Sequence, residues 1–121
     1  MGKAYSKFKI TTPIREILLN NDELVSLIGD NIFPVVAEKD TKGDIITYQR
    51  DGYTVEIKKM GIYSQECEVV FNSISEDYDR SQEIAELVAF SLIGYWDDPV
   101  MSIKLQDSTE EFEDGKYKQI L

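Results

Sequence analysis

A change of period within residues 66–94 limits the fold more than any other feature of the chain. The run Glu66-Cys67-Glu68-Val69-Val70-Phe71-Asn72-Ser73-Ile74-Ser75 is rich in β-branched and aromatic residues and repeats every second position. Tyr63, Cys67, Val69 and Phe71 share one face, and Glu66, Glu68 and Asn72 share the other, as in a half-buried strand. From Asp77 to Ile93 the repeat becomes helical. Ile84, Leu87, Val88, Ser91 and Leu92 follow the spacing of a helix that buries one stripe. Glu76, Asp77 and Asp79 lie at its start, where unpaired N–H groups and the helix dipole favour anions. Gly94 follows as a stop, because glycine takes a left-handed cap without steric cost.

Signals before this unit predict a helical segment over 13–28. Thr12 and Pro13 suit a helix start, with Pro13 at the first helical position, and Ile14, Ile17 and Leu18 form a short apolar stripe. Asn20-Asn21-Asp22 interrupts the stripe and caps a second short helix bearing Leu24, Val25, Leu27 and Ile28, which ends at Gly29. Residues 1–10 read as an irregular, flexible arm that Phe8 or Ile10 docks. Pro34 argues that Asn31-Ile32-Phe33-Pro34 is not a central strand. Residues 38–44 read as a loop and 44–50 as a strand. Asp51-Gly52 reads as a turn, and 53–61 as a loop crossing a sheet edge, with a strand over Thr54-Val55-Glu56-Ile57 as the alternative.

Beyond the helix, Trp96-Asp97-Asp98-Pro99 reads as a connector. Met101, Ile103 and Leu105 then alternate with Ser102, Lys104 and Gln106, the most regular half-buried strand pattern in the chain. Asp114-Gly115 signals a two-residue hairpin loop. That loop sets Glu113 opposite Lys116, Glu111 opposite Lys118, and Phe112 opposite Tyr117. Such cross-strand pairs contribute about 0.2–1 kcal/mol each and select one register. Together these signals predict an α+β fold in a single domain over 1–121. A mixed or antiparallel sheet of four to five strands packs on one main helix (about 77–93), with the 13–28 helical segment and a C-terminal β-hairpin.

Chemistry is sparse. The chain has no histidine and one cysteine, Cys67, so the commonest general base and the usual zinc ligands are missing. No phosphate-binding glycine motif and no nucleophile elbow occurs. Glu76-Asp77-Tyr78-Asp79 lacks the spacing of a calcium loop and reads as the acidic start of a helix. Glu110, Glu111, Glu113 and Asp114 read as a solvated hairpin, and a carboxylate-pair hydrolase needs a cleft that a chain of this size rarely builds. The reading is therefore of no enzyme, no cofactor, no metal and no catalytic residue. Cys67 sits where a small apolar filler belongs, and a lone cysteine fits a reducing compartment.

A formal charge of −10 repels phosphates and anionic lipid, so neither sequence-specific nucleic-acid binding nor membrane binding is expected. The longest nearly apolar run, Ile84 to Ile93, is too short to span a bilayer. The opening Met1-Gly2-Lys3-Ala4-Tyr5-Ser6 matches a loose myristoylation pattern that coincidence explains better. One feature exceeds what a lone domain needs. With the main helical stripe turned inward, Glu86, Phe90 and Ile93 fall on the opposite side. Another part of the same chain covers them, or a neighbouring subunit does.

The order of these signals resembles the phage tail completion family, which includes tail terminator and tail-to-head joining proteins. The resemblance runs through Ile14–Leu24, Leu27–Pro34, Ile46–Arg50, Glu68–Phe71 with the helix after it, and the closing hairpin. It implies a non-enzymatic subunit that forms a ring, a hexamer in this family, on the head-proximal end of a tail tube. There it ends tube growth and offers the head-joining surface. The implied partners are copies of itself, a tail tube protein and a head connector protein. The implied location is a virion tail assembled in the bacterial cytoplasm. The competing reading is a monomeric cytoplasmic binding module that takes a partner strand on a sheet edge beside 100–107 or 44–50.

Overall fold

The computed structural model describes residues 9–37, 43–57, 63–97 and 100–121. In chain order these form α1 (Thr11–Leu19), α2 (Asp22–Ile28), β1 (Ile32–Pro34), β2 (Ile45–Ile57) and β3 (Tyr63–Ser75). Then follow α3 (Tyr78–Leu92), β4 (Gly94–Asp97), β5 (Val100–Ile103), β6 (Thr109–Glu113) and β7 (Lys116–Ile120). The fold is α+β, as the sequence predicts. Its main sheet has five strands in the order β1-β2-β3-β7-β6, with β4 and β5 forming a separate ribbon. The main sheet is mixed, because β1 runs parallel to β2 while every other pair is antiparallel.

Period decides which residues are buried. Along α3 the side chains of Ser81, Ile84, Val88 and Leu92 are buried, with Leu87 and Ser91 half-buried beside them. This stripe packs with Ile46, Tyr48 and Phe71 of the central strands and with Ile14, Leu18, Leu24 and Ile28 of the short helices. Cys67 and Val69 are half-buried against the same cluster, consistent with Cys67 as filler. By strand alternation Phe33, Thr47, Asn72 and Ile120 stand in one row on the other face of the sheet. There Asn72 Nδ2 donates to Thr47 Oγ1 at 3.1 Å.

Several expectations change. The first helix starts at Thr11 with Ile10 at its cap and no side-chain cap, rather than at Pro13 with a threonine cap. Burial of Ile10 in the core pulls the helix start upstream, and Pro13 is tolerated because first-turn N–H groups lack partners anyway. Phe8 lies outside the described residues. The second helix meets its expectation: Asn21 Oδ1 accepts from the Leu24 N–H at 3.1 Å, and Gly29 ends it at φ 63°. β1 is an edge strand, as Pro34 requires. It ends in a tight turn in which the Val36 N–H donates to the Pro34 carbonyl at 2.6 Å. That turn holds Val35 at φ 63°, a conformation costly for a β-branched residue.

Asp51-Gly52 is not a turn, and over 53–57 the strand alternative holds in place of the loop. β2 continues through both and pairs with β3 out to Ile57↔Tyr63. The ladder slips by one residue between Arg50 and Gly52, so Asp51 is the extra residue of a bulge, and Gly52 at φ 153° supplies the torsion it needs. A glycine beside an acid reads as a turn until a partner strand is known. Likewise the alternating run at 101–106 is a strand only to Ile103, with Leu105 exposed. It joins the Gly94–Asp97 strand rather than the main sheet, and that strand takes in Trp96 and Asp97 of the expected connector. Asp98 and Pro99 lie outside the described residues. At the helix end, Gly94 at φ 146° follows an extended Ile93, so the chain leaves α3 straight into β4 without a left-handed cap.

The closing hairpin has the register its sequence predicts, with Glu113↔Lys116, Phe112↔Tyr117 and Glu111↔Lys118. Asp114 at φ 54° and Gly115 at φ 78° form the mirror-image turn that matches strand twist. Because Ile84 is fully buried at the centre of the core, Ile84→Ala is expected to cost about 2–5 kcal/mol. Glu86→Ala, on the exposed side of the same helix, is expected to stay within about 0.5 kcal/mol. Urea unfolding followed by circular dichroism measures both.

Candidate functional site

The three residues singled out on the outer side of α3 are all exposed. Glu86 stands one turn before Phe90, which is 72% exposed, and Ile93 at the helix end is 47% exposed. Tyr95, not foreseen in this role, extends the patch onto β4 at 79% exposure. Its alternation with Trp96 in a short strand was the available signal. Phe90 and Ile93, three residues apart at the end of α3, are thus exposed on the side that carries Glu83 and Glu86, with exposed Tyr95 following on β4. Uncovered clusters of large apolar side chains mark interaction surfaces.

The surface also has an open groove of about 310 Å³, lined by Ile17, Asn20, Asn21, Ser91 and Trp96. It forms where the α1–α2 elbow meets the end of α3. Asn21 fixes that elbow twice: its Oδ1 caps α2, and its Nδ2 donates to Ser91 Oγ at 2.6 Å. Ser91 Oγ in turn donates to the Leu87 carbonyl at 2.6 Å. Trp96 Nε1 donates to the Leu92 carbonyl at 2.9 Å, which pins the indole against the last turn of the helix.

At the opposite end of α3 a polar and aromatic network joins the helix to the closing hairpin. Asp77 caps the helix, accepting from the Asp79 and Arg80 N–H groups, so the acidic run there serves as a helix start. Glu110 is not simply solvated as its run suggests. It receives the Tyr78 hydroxyl at 3.0 Å and Gln119 Nε2 at 3.0 Å. Gln119 reaches Ser81 Oγ at 3.3 Å, and Ser73 Oγ donates to the Ser81 carbonyl at 3.0 Å. The Tyr117 ring lies 5.2 Å from that of Tyr78 and 4.7 Å from that of Phe112. Nothing local in the sequence links residue 78 to residue 110; the sheet order places them together.

Among the described residues no group of three or more Cys, Asp or Glu side chains is placed to hold a metal ion. No helix among them is long and apolar enough to cross a membrane. The described surface carries exposed apolar side chains at the end of α3, a groove at the α1–α2 elbow, and a hairpin hydrogen-bonded to the helix.

With that geometry in view, comparison with known proteins bears on the fold. No protein family model matches the sequence, and no curated protein matches it. A solved structure described as the virion of a native gene transfer agent particle contains a similar chain. The TM-score is 0.72, with 88% of this chain and 84% of that chain covered. The two chains share a fold. Identity over the match is 14%, so the likeness lies in architecture rather than in particular residues.

The Tyr78 phenol is raised above its ordinary value of 10.0, first by its hydrogen bond to the Glu110 carboxylate, then by desolvation and by the charges of Glu110 and Asp79. A raised value means the contact stabilises the fold in full below pH 10.0 and is lost as pH rises through the folded-state value. Tyr78→Phe is therefore expected to lower the Tm at neutral pH, by an amount that shrinks above pH 10.0. Thermal unfolding of both proteins across a pH series measures it, and a difference that does not change with pH would contradict the assignment.

Proposed function

We propose that the chain is a structural subunit of a phage-like virion, working by assembly and not by catalysis. The observation that carries this reading is the fold shared with a chain of a gene transfer agent virion over most of both lengths. In its finer form, the subunit builds a ring, a hexamer, on the head-proximal end of a tail tube. The ring ends tube growth and presents the surface that joins the head. Its partners are further copies of itself, a tail tube protein and a head connector protein, and it is assembled in the bacterial cytoplasm. The order of sequence signals resembling tail completion proteins supports that form.

Glu86, Phe90 and Ile93 belong to the subunit contact in this reading. Their side of α3 is left uncovered by the rest of the described chain, and Tyr95 enlarges it. A ring needs two different surfaces per subunit. The two outermost strands of the main sheet are poor candidates for the joint. β1 is three residues long and carries Pro34, and β6 is exposed along its length and bears three acids. An acidic surface also suits a passage for DNA, since it repels the moving polyanion.

One of the two docking places expected for the competing binding module, the 44–50 strand, is covered in part. The 44–50 strand is flanked by β1 and β3 and has no free edge along 46–48. The edges of the β4–β5 ribbon stay unpaired among the described residues and keep the other place open.

Phe90→Asp separates these readings. Because Phe90 is 72% exposed, the variant is expected to keep its Tm within a few degrees while losing self-association. Light scattering over a concentration series, with negative-stain images for rings, checks the outcome. A wild-type chain that stays monomeric at all concentrations, alone and with a tube protein, would sink the ring.

A further inference from the structure

We propose that residues 1–8 of one copy of this chain dock into the groove beside Trp96 of a second copy. The inference rests on the self-assembly reading and adds the segment that makes the contact. Ile17 and Trp96 give the groove apolar walls. The polar groups of Asn21 and Ser91 are spent on each other and on neighbouring backbone. The Asn20 side-chain amide is different: it has no hydrogen-bond partner among the described residues, and it carries both a donor and an acceptor. One edge of β4, next to Trp96, is likewise unpaired among the described residues. An apolar floor, a free amide and a free strand edge suit an extended peptide with a large side chain.

Charge selects which peptide. Glu16, Asp22 and Glu23 are exposed on the α1–α2 elbow that forms the groove. Residues 1–8 carry Lys3 and Lys7 and no acid, with Lys9 next in sequence, within a chain of net charge −10. The same segment brings Tyr5 and Phe8 as apolar anchors. A cationic, aromatic segment and the acidic elbow that carries Asn20 and Asn21 of the groove are complementary.

Geometry selects which copy. Ile10 has helical torsions, φ −61° and ψ −29°, so the chain enters α1 along the helix axis. The groove lies at the other end of α1, about 14 Å away for nine residues. The segment would have to reverse at once to reach its own groove. Eight extended residues span up to about 26 Å, enough to reach beyond the subunit's own α1.

Trp96 is the only tryptophan, so its fluorescence reports on the groove alone. Acrylamide quenching is measured across a concentration series for the full chain and for a variant lacking residues 2–8. Shielding of Trp96 is expected to grow with concentration in the full chain and to be lost in the variant. A synthetic peptide of residues 1–9 restores it, and salt weakens the restoration. The full chain carrying Lys3→Glu, Lys7→Glu and Lys9→Glu is expected to lose shielding as the deletion does, which keeps the test decisive where the deletion fails to fold. Shielding that ignores the deletion and the charge reversals overturns the proposal. So does shielding independent of concentration, which places the segment on its own chain. Rings that form without peptide binding overturn this contact and leave the ring intact. Peptide binding without rings supports the contact and counts against the ring.

Discussion

Burial of one helical stripe against two strands is the constraint on which the rest of this structure depends. Ser81, Ile84, Val88 and Leu92 of α3 meet Ile46, Tyr48 and Phe71 of β2 and β3, and none of these surfaces is stable in water alone. The helix is joined to β3 by only Glu76 and Asp77, so the strand and the helix that covers it form one local unit. Every other element attaches to an edge or an end of that unit. The short helices close the core from the side, and β1 borders β2. β7 joins β3 along only a few residues near its C-terminal end.

Attachment relies on polar contacts as much as on apolar ones. Asn21 caps α2 and holds Ser91, which ties the helical elbow to α3. At the other end Ser73, Ser81, Gln119, Glu110 and Tyr78 form a continuous chain of hydrogen bonds between sheet, helix and hairpin. Arg80 Nε stands 3.5 Å from Asp44 Oδ2, across to the start of β2. A buried side-chain polar atom is costly without a partner, and none among the described residues lacks one. These contacts are directional where apolar packing is not. They fix the angle at which each peripheral element leaves the core.

Exposed apolar side chains occur after β1, at Val35 and Val36, on the hairpin, at Phe112, and at the end of α3. Phe90 and Ile93 stand at that helix end, with Tyr95 following on β4. A subunit built to be joined needs a rigid body with a sticky surface, and α3 supplies both from opposite sides. Its inner stripe holds the core while its outer side is free. The same helix therefore links fold and function in the assembly reading: changes to Ile84 act on stability, and changes to Phe90 act on association.

Where the physics is local, the sequence by itself was sufficient. The strand-to-helix change at 66–94, the Asn21 cap, the edge character of Pro34 and the hairpin register at Asp114-Gly115 all follow from periodicity, capping or turn chemistry within a few residues. The exposed side of α3 was also legible, because a helix that buries one stripe must show the other. Tertiary structure alone decided the rest. Asp51-Gly52 is a bulge only because β3 continues opposite it. Tyr78 meets Glu110 only because β7 lies between β3 and β6. Each depends on a partner distant in sequence, and backbone pairing carries no mark in the residues that tells one distant partner from another.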